Sequence, residues 1–304
     1  MNKINFSYAS NTEHNLAQRL IIKTIERVTG KKKLEKIYQE YSESNNDPRN
    51  FWSDILNEMN IKVTNKSTNQ LNIQSNGSLI VIANHPFGII DGLILCALVS
   101  NVRNDFKIMT HETLKMLPQL DKYILPVDFS NSRKETLKFN IKTAEKAKAH
   151  LEKKGALIIF PSGSVSVAKS LKSEAIDDDW KTFPAKLIHQ TKPDILPIYF
   201  DGKNGFLFHL FASKLKSSTL KYSSYIHETK KKIGKEIIIY SGKIIKYKDV
   251  SQPINNFRNL SASLEEISTV LTDSPLAFEF ILTVEISFFK NLIFQSSKII
   301  SYCC

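Results

Sequence analysis

A histidine and an aspartate six positions apart are the residues of this chain best suited to chemistry. His85 and Asp91 lie in the run IVIANHPFGIIDG, residues 80–92. The unperturbed pKa of a histidine is near neutrality, so an imidazole can take a proton from a hydroxyl and return it within one turnover. A carboxylate that accepts a hydrogen bond from the N–H of one ring nitrogen leaves the other nitrogen as the base. The pair therefore predicts general-base activation of a hydroxyl.

The two side chains meet only if the chain between them turns back. Side chains stack on one helix face at spacings of three or four, and these two residues are six apart. Pro86 and Gly88 favour such a turn. The residues alone leave an alternative open, in which His85 is an ordinary histidine at a strand end and Asp91 caps a helix.

The pair lies between a predicted strand and a predicted helix. Residues 79–83 are apolar and mostly β-branched, which is typical of a short strand buried on both faces. The apolar run GLILCALV that follows Asp91 is long enough for a buried helix. A strand that ends in a loop before a helix is a common place for a site.

A second loop carries polar groups that could serve the same site. Residues 156–160 predict another buried strand, which ends in the loop PSGSVS, residues 161–166. Gly163, backbone N–H groups and three serine hydroxyls can bind an oxyanion or a phosphate. The alternative is an ordinary Ser/Gly turn. Strands alternate with helices along the chain, which predicts a mainly parallel sheet whose strand ends meet at one edge, so His85 and Ser162 are expected to be neighbours.

Three segments together resemble one protein family. NHPFGIIDG, residues 84–92, resembles the first motif of glycerolipid acyltransferases, in particular the bacterial lysophospholipid acyltransferase branch termed hemolysin-like. FPSGSVS, residues 160–166, is similar to the branch's FPSGEVS segment, and LPIYFDGKN, residues 196–204, to its block after the last core strand. The resemblance covers roughly residues 6–272. Ser164 stands where the branch usually has Glu, and the Arg of the wider superfamily is absent from that block.

The resemblance implies a fold and an activity. The expected fold is α/β: one glycerol-phosphate-acyltransferase-like domain with a mainly parallel sheet covered by helices. We expect a helical N-terminal cover in residues 1–75, the acyltransferase core in 76–275 and an unmatched apolar tail in 276–304. The implied reaction moves a fatty acyl group from acyl-CoA or an acyl carrier protein to the hydroxyl of a lysophospholipid or related lyso-lipid.

The expected roles of the residues combine the chemistry with the resemblance. His85 is the general base and Asp91 the carboxylate that orients it. No cysteine or serine accompanies the pair in its motif, so direct attack without an acyl-enzyme is expected, with no metal and no tightly held cofactor. The candidate substrate-binding residues are Asn84, Gly88, Pro161, Ser162, Gly163, Ser164 and Ser166.

Two alternatives from other classes stay open. One is a catalytically silent homologue that binds lipid or a membrane surface, suggested by Ser164 and the unmatched tail. The other is a thioesterase or lipase that uses His85 with a serine such as Ser162. The chain contains no G-x-S-x-G motif, which weighs against this second alternative.

Charge and composition suggest where the protein acts. The net charge is +12, and residues 213–248 contain ten lysines against two glutamates, or 10 − 2 = +8. This basic stretch suits an anionic membrane surface or an acidic carrier protein, and nucleic acid least, although a solvated surface is the alternative. The three cysteines form no disulfide or metal pattern. With neither a signal peptide nor a spanning apolar run, we expect a cytoplasmic protein peripherally associated with the inner face of the membrane.

Four local predictions complete the sequence-based structure. Residues 132–155 predict a helix with a capping box at its start and one apolar face, formed by Leu137, Ile141, Ala144, Ala147 and Leu151. Residues 237–245 predict a hairpin that turns at Ser241 and Gly242. Residues 111–117 predict one or two helical turns, and the alternating residues 279–288 predict a strand.

Overall fold

A seven-stranded, mostly parallel sheet organises the protein. The computed structural model describes residues 16, 20, 23, 24, 30–43, 50–68, 70–111, 118–128, 133–168, 173–214 and 218–250. The strands are β1 (Lys62–Asn65), β2 (Leu79–Ala83), β3 (Phe106–His111), β4 (Ile124–Val127), β5 (Ala156–Ile159), β6 (Val167–Ala168), β7 (Ala175–Ile176), β8 (Asp194–Phe200) and β9 (Glu236–Ser241). The order in the sheet is β1-β9-β8-β2-β5-β3-β4, and β6 and β7 form a separate antiparallel pair.

Helices cover both faces of this sheet. They are α1 (Lys31–Glu43), α2 (Phe51–Glu58), α3 (Ile89–Ser100), α4 (Arg133–Glu152), α5 (Thr182–Thr191), α6 (Phe206–His209), α7 (Ser218–Lys232) and α8 (Tyr247–Val250). A 3₁₀ segment spans Pro118–Tyr123, and a π-helical segment spans Leu210–Lys214. The α/β class with a mainly parallel sheet is thus confirmed, because every neighbouring pair of strands in the large sheet is parallel except β8 and β9.

The central strand β2 explains why the core has two halves. All five of its residues are fully buried, as its unbroken apolar run predicts. Side chains alternate along a strand, so Val81 packs with α2 and α3 on one face while Ile80 and Ile82 pack with α4 and α5 on the other. The strand is therefore held on both faces, which fixes the position of the loop that follows it.

The structure adds the strand β1 to the large sheet, adds the small pair of β6 and β7, and removes a predicted hairpin. β1 lies within the expected N-terminal cover, and it pairs in parallel with β9 at the edge of the sheet. The hairpin over residues 237–245 is wrong: β9 pairs with β1 and β8, and the chain after it returns to β8 through a bridge between Ile245 and Ile195. β9 finds two partner strands distant in sequence, and these satisfy its backbone better than a short local turn.

The predicted apolar face of α4 is only half correct. Ala147 and Leu151 are buried against the sheet, whereas Leu137 is 60% exposed and Ile141 is 48% exposed. Near its middle the helix instead contacts the end of β4 through polar side chains, since Asn140 donates to the carbonyl of Asp128 at 2.8 Å and Thr143 donates to that of Pro126 at 2.7 Å.

Some predictions fall outside the described part of the chain. These are the capping residue at position 132, the helical turns at 112–117 and the strand at 279–288. Among the residues that the structure describes, no helix combines the length and the apolar character that crossing a bilayer would require.

Candidate active site

Three loops meet at the carboxyl edge of three adjacent strands. β5, β2 and β8 lie side by side and run in parallel, so the chain leaves all three at the same edge. The loop after β2 holds His85, the loop after β5 is the PSGSVS segment, and the loop after β8 is residues 201–205. In open α/β sheets this edge is where ligands bind.

His85 and Asp91 are in direct contact. The Nδ1 atom of His85 lies 2.9 Å from Oδ2 of Asp91. The same oxygen accepts backbone N–H groups from Phe87 at 2.8 Å and Gly88 at 2.9 Å. Gly88 has φ 77°, a conformation that favours glycine, and a Cβ there would lie 3.3 Å from Val165. The turn predicted from Pro86 and Gly88 is therefore present, and it brings the carboxylate back to the imidazole.

Asp91 combines the two roles that the sequence left as alternatives. It lies in the first turn of α3 and accepts the N–H of Gly88, which is the contact of a helix cap. It also accepts a hydrogen bond from the Nδ1–H of the imidazole, which favours the tautomer that carries its proton on Nδ1. The residue is fully buried, and burial raises the pKa of its carboxyl while its hydrogen bonds to His85 oppose that rise.

The second nitrogen of His85 is the one available for chemistry. The ring stacks on Phe160 with centroids 3.9 Å apart and planes 20° apart, so it is held on one face as well as at Nδ1. Its side chain is 18% exposed. No described residue forms a hydrogen bond with Nε2, which leaves this nitrogen as a candidate base for a hydroxyl that approaches the edge of the sheet.

The PSGSVS loop lies against the histidine, and its hydroxyls are already used. The N–H of Ser166 donates to the backbone carbonyl of His85 at 2.9 Å. Ser162 donates to the carbonyl of Ser164 at 2.9 Å, Ser164 donates to Asp178 at 2.6 Å, and Ser166 donates to Asp177. These hydroxyls shape the loop, and its backbone is partly used as well, since the N–H of Gly163 donates to the carbonyl of Phe160 at 3.0 Å and the N–H of Ser164 lies 3.5 Å from Oγ of Ser162. No described residue accepts the N–H of Ser162 or of Val165, so these two groups are the candidates for substrate contacts. Pro161 and Gly163 lie in its first turn.

Asn84 holds two strands together. Its Nδ2 donates to the carbonyl of Phe200 at 2.9 Å, and its Oδ1 accepts the N–H of Phe200 at 2.7 Å. Both ends of the amide are thus occupied by backbone. The residue was a candidate for substrate binding from its motif, and the structure gives it the task of fixing the end of β2 to the end of β8.

Asp177 is a residue of the site that sequence reasoning missed. Its carboxylate accepts the N–H of His85 at 3.1 Å, the Nε1–H of Trp180 at 3.1 Å and the hydroxyl of Ser166. Burial raises the pKa of Asp177, and its hydrogen bonds, that of Ser166 first among them, oppose the rise. The only sequence signal was a tryptophan close behind a row of three aspartates, a pattern that equally describes an exposed loop.

The basic stretch 213–248 is not uniformly a solvated face. Lys231 forms an ion pair with Glu228 at 3.2 Å, and Lys246 pairs with Asp194 at 2.6 Å. The Nζ atom of Lys232 lies over the ring of Phe87, 3.9 Å from its centroid. At least these three lysines are therefore engaged by the protein itself. Within the described residues, no group of three or more histidine, cysteine, aspartate or glutamate side chains is placed to hold a metal ion.

Part of this chain is similar to known acyltransferases. Residues 63–201 match the family model named Acyltransferase. A lyso-glycine lipid O-acyltransferase from Phocaeicola vulgatus is 26% identical over 154 residues, which are 50% of this chain and 52% of that protein. A protein of the same name from Bacteroides thetaiotaomicron is 25% identical over 154 residues, or 50% of this chain and 53% of that one. The resemblance to bacterial lyso-lipid acyltransferases is confirmed, and the match spans about half the length of each relative.

A solved structure is also similar to this chain. It is the 1-acyl-sn-glycerophosphate (LPA) acyltransferase, PlsC, from Thermotoga maritima, with a TM-score of 0.46 and 12% sequence identity. The superposition covers 83% of this chain and 94% of that one.

Proposed function

We propose that this chain, whose residues 63–201 match the family model named Acyltransferase, moves a fatty acyl group from an acyl thioester to the hydroxyl of a lyso-lipid. The observation that carries the proposal is the contact between His85 and Asp91 at the carboxyl edge of the sheet, with Nε2 of His85 left for a substrate. The names of the curated relatives support a lyso-lipid as the acceptor. We expect the donor to be a thioester, either acyl-CoA or an acyl carrier protein, because the family resemblance implies it.

The proposed mechanism is a direct transfer. Nε2 of His85 takes the proton of the acceptor hydroxyl while the oxygen of that hydroxyl attacks the thioester carbonyl. Asp91 stabilises the imidazolium that forms. The backbone N–H groups of Ser162 and Val165, in the 161–166 loop, are the proposed donors to the oxyanion. The C–S bond then breaks, the thiolate receives the proton from His85, and an ester and a free thiol leave. No metal or tightly held cofactor takes part in this proposal.

The first test removes the base and its partner separately. Purified wild type, His85→Ala and Asp91→Asn are assayed with acyl-CoA and with an acyl carrier protein, using lyso-glycine lipid and lysophosphatidic acid as acceptors. We expect His85→Ala to abolish transfer, and Asp91→Asn to lower kcat roughly 10²–10⁴-fold, because the amide no longer selects the correct tautomer. His189→Ala, which changes an exposed histidine of α5, serves as the matched control.

Full transfer by folded His85→Ala would contradict the proposed base. A wild-type protein that binds lyso-lipid vesicles but transfers no acyl group with either donor would favour the alternative, a catalytically silent lipid-binding homologue. Far-UV circular dichroism of each variant shows whether a loss reflects chemistry or folding.

A further inference from the structure

A lysine from the far end of α7 lies beside the motif loop. Lys232 is the last residue of that helix, and its Nζ lies 3.9 Å from the centroid of the Phe87 ring. Phe87 is two residues from His85, and its N–H donates to Asp91. A cation above an aromatic face is favourable, and more so when it is partly desolvated. The ring therefore holds the ammonium close to the catalytic pair.

The charge of this lysine is incompletely balanced. Burial lowers the pKa of Lys232, while the carboxylates of Glu228 and Asp91 act in the opposite direction and Lys231 adds to the lowering. Glu228 already accepts the N–H of Gly205 at 2.7 Å and pairs with Lys231. Across the described ranges no carboxylate forms an ion pair with Lys232, and its one hydrogen bond is a 3.4 Å contact with the carbonyl of Lys203.

The side-chain amide of Asn204, the residue after Lys203, is buried and lacks hydrogen-bond partners in the described part of the chain. Asn204 is only 4% exposed, and neither Nδ2 nor Oδ1 of its side chain has a hydrogen-bond partner among the described residues. A buried amide without hydrogen-bond partners is destabilising, so its presence calls for a partner that the described part of the protein does not supply. The backbone on both sides of it is fixed to α7, since Lys203 accepts from Lys232 and Gly205 donates to Glu228. Asn204 thus lies in the loop that α7 holds against the site.

We propose that Lys232 and Asn204 form a subsite for an anionic group of the substrate, a phosphate or a carboxylate, beside the His85–Asp91 pair. The ammonium supplies the charge, and the amide of Asn204 supplies a hydrogen-bond donor that the protein itself leaves unused. This inference rests on the proposed function, because the anion belongs either to the headgroup of the lyso-lipid or to the phosphates of the thioester donor.

The test separates the charge of Lys232 from its packing. Lys232→Met keeps an unbranched side chain over Phe87 and removes the charge, while Lys232→Arg keeps the charge. Asn204→Leu removes both amide atoms at similar volume. Lys235→Met is the matched control, because it removes the same charge from an exposed position three residues later. The KM is measured in free solution, without vesicles, for short-chain forms of lysophosphatidic acid and lyso-glycine lipid at saturating acyl-CoA, and then for acyl-CoA at saturating acceptor.

We expect Lys232→Met to raise the KM for the substrate that carries the anion roughly 10–100-fold while kcat changes little, and Lys232→Arg to restore most of the loss. Asn204→Leu should raise the same KM by a smaller factor. A rise in the KM for an acceptor places its headgroup in the subsite, and a rise in the KM for acyl-CoA places the donor's phosphates there. Unchanged KM values for both substrates, or a loss confined to kcat, would overturn the proposal.

Direct binding keeps this inference separate from the acyl-transfer proposal. Wild type, Lys232→Met, Lys232→Arg and Lys235→Met are titrated calorimetrically with glycerol 3-phosphate, N-acetylglycine and coenzyme A. Weaker binding in Lys232→Met alone supports the subsite even if the wild type transfers no acyl group. Equal binding by all four proteins, or no binding of any probe by the wild type, would refute it even if transfer is observed.

Discussion

At the scale of single residues, the site depends on carboxylates that hold the histidine from two sides. Asp91 binds the Nδ1 of the ring, and Asp177 accepts the backbone N–H of the same residue. The ring and the backbone of His85 are thus fixed independently. Misplacing a catalytic group by about 1 Å can cost roughly 100-fold in rate, so the second carboxylate matters although it does not touch the imidazole.

Asp177→Asn is predicted to lower kcat at least about tenfold with little change in KM. An amide has one acceptor oxygen and one NH₂ group, so one of its ends must face a donor, either Trp180 Nε1–H or the N–H of His85. The measurement is steady-state kinetics of Asp177→Asn, Trp180→Phe and the double variant Asp177→Asn/Trp180→Phe. The double variant lacks the tryptophan N–H that would oppose the NH₂ group of the introduced amide. The loss of kcat caused by Asp177→Asn should therefore be smaller in the Trp180→Phe background than in the wild type.

A wild-type kcat in Asp177→Asn would show that the hydrogen bond to the backbone of His85 does not position the base. Absence of any recovery in the double variant would mean that the loss came from general destabilisation. Thermal unfolding of all three variants distinguishes the two.

At the scale of elements, the amino edge of the sheet is built for stability while the opposite edge carries the site. Arg103, in the turn after α3, is 4% exposed and bridges three segments of the chain. Its guanidinium donates to both oxygens of Asp105, at 2.6 and 2.7 Å, and to the carbonyls of Gln74, Gly77 and Lys154. One side chain therefore joins the segments that lead into β2, β3 and β5.

Arg103→Met is predicted to lower the free energy of unfolding at pH 7 by about 2–4 kcal/mol, because it leaves several carbonyls and a carboxylate without their donor. The hydrogen bond and charge of Arg103 hold the pKa of Asp105 below its usual value. The contribution of this pair to stability is present above about pH 3.9, the pKa of an Asp in the unfolded chain. It is lost as the pH falls through the lower pKa that Asp105 has in the folded protein. The difference between wild type and variant should therefore be smaller at pH 3 than at pH 7.

Urea unfolding across this pH range measures both effects, with Arg103→Lys as an intermediate variant that keeps a charge but not the planar fork. The kcat of the folded protein should stay near the wild-type value in both variants, since the site lies at the other edge. A difference in stability that is independent of pH would show that the pair with Asp105 contributes nothing.

At the scale of the whole molecule, apolar residues are exposed next to the loop that carries Asn204. Phe206 and Leu207 begin α6 and are each 50% exposed. A lyso-lipid acceptor resides in a bilayer, so a protein that uses it must meet the membrane surface near the site. Lysines provide attraction to anionic lipid, worth up to about 1 kcal/mol each near the surface. Lys230 and Lys235 are exposed members of the basic stretch, unlike Lys232.

Phe206→Ser/Leu207→Ser is predicted to weaken binding to vesicles rich in anionic lipid by about 2 kcal/mol, roughly 30-fold, because two half-exposed apolar side chains no longer enter the interface. Lys230→Gln/Lys235→Gln should weaken binding at low salt and have no effect at high salt. Co-sedimentation without acyl carrier protein measures both. The matched control is Leu137→Ser/Ile141→Ser, which removes the exposed apolar pair of α4.

Equal losses in the α6 and α4 variants, or binding to neutral vesicles that is equally tight at all salt concentrations, would contradict this orientation on the membrane. Transfer to a short-chain lyso-lipid in free solution should be unchanged in the lysine variants, which confirms that the site itself is intact.

The sequence by itself determined the central strand, the parallel α/β class and the loop in which His85 meets Asp91, because each depends on residues close together along the chain. A mostly β-branched apolar run predicts a buried strand, and a proline and a glycine between His85 and Asp91 favour a turn that brings the two side chains together. Only the tertiary structure decided the partners of β9, the exposure of Leu137 and the roles of Asp177 and Lys232. His85 and Asp177 are 92 positions apart in the sequence. Three consecutive aspartates are typical of a solvated loop, and only the fold shows that the first of them is partly buried beside His85. The environment of such a side chain is set by contacts between distant segments, and a local pattern does not contain them.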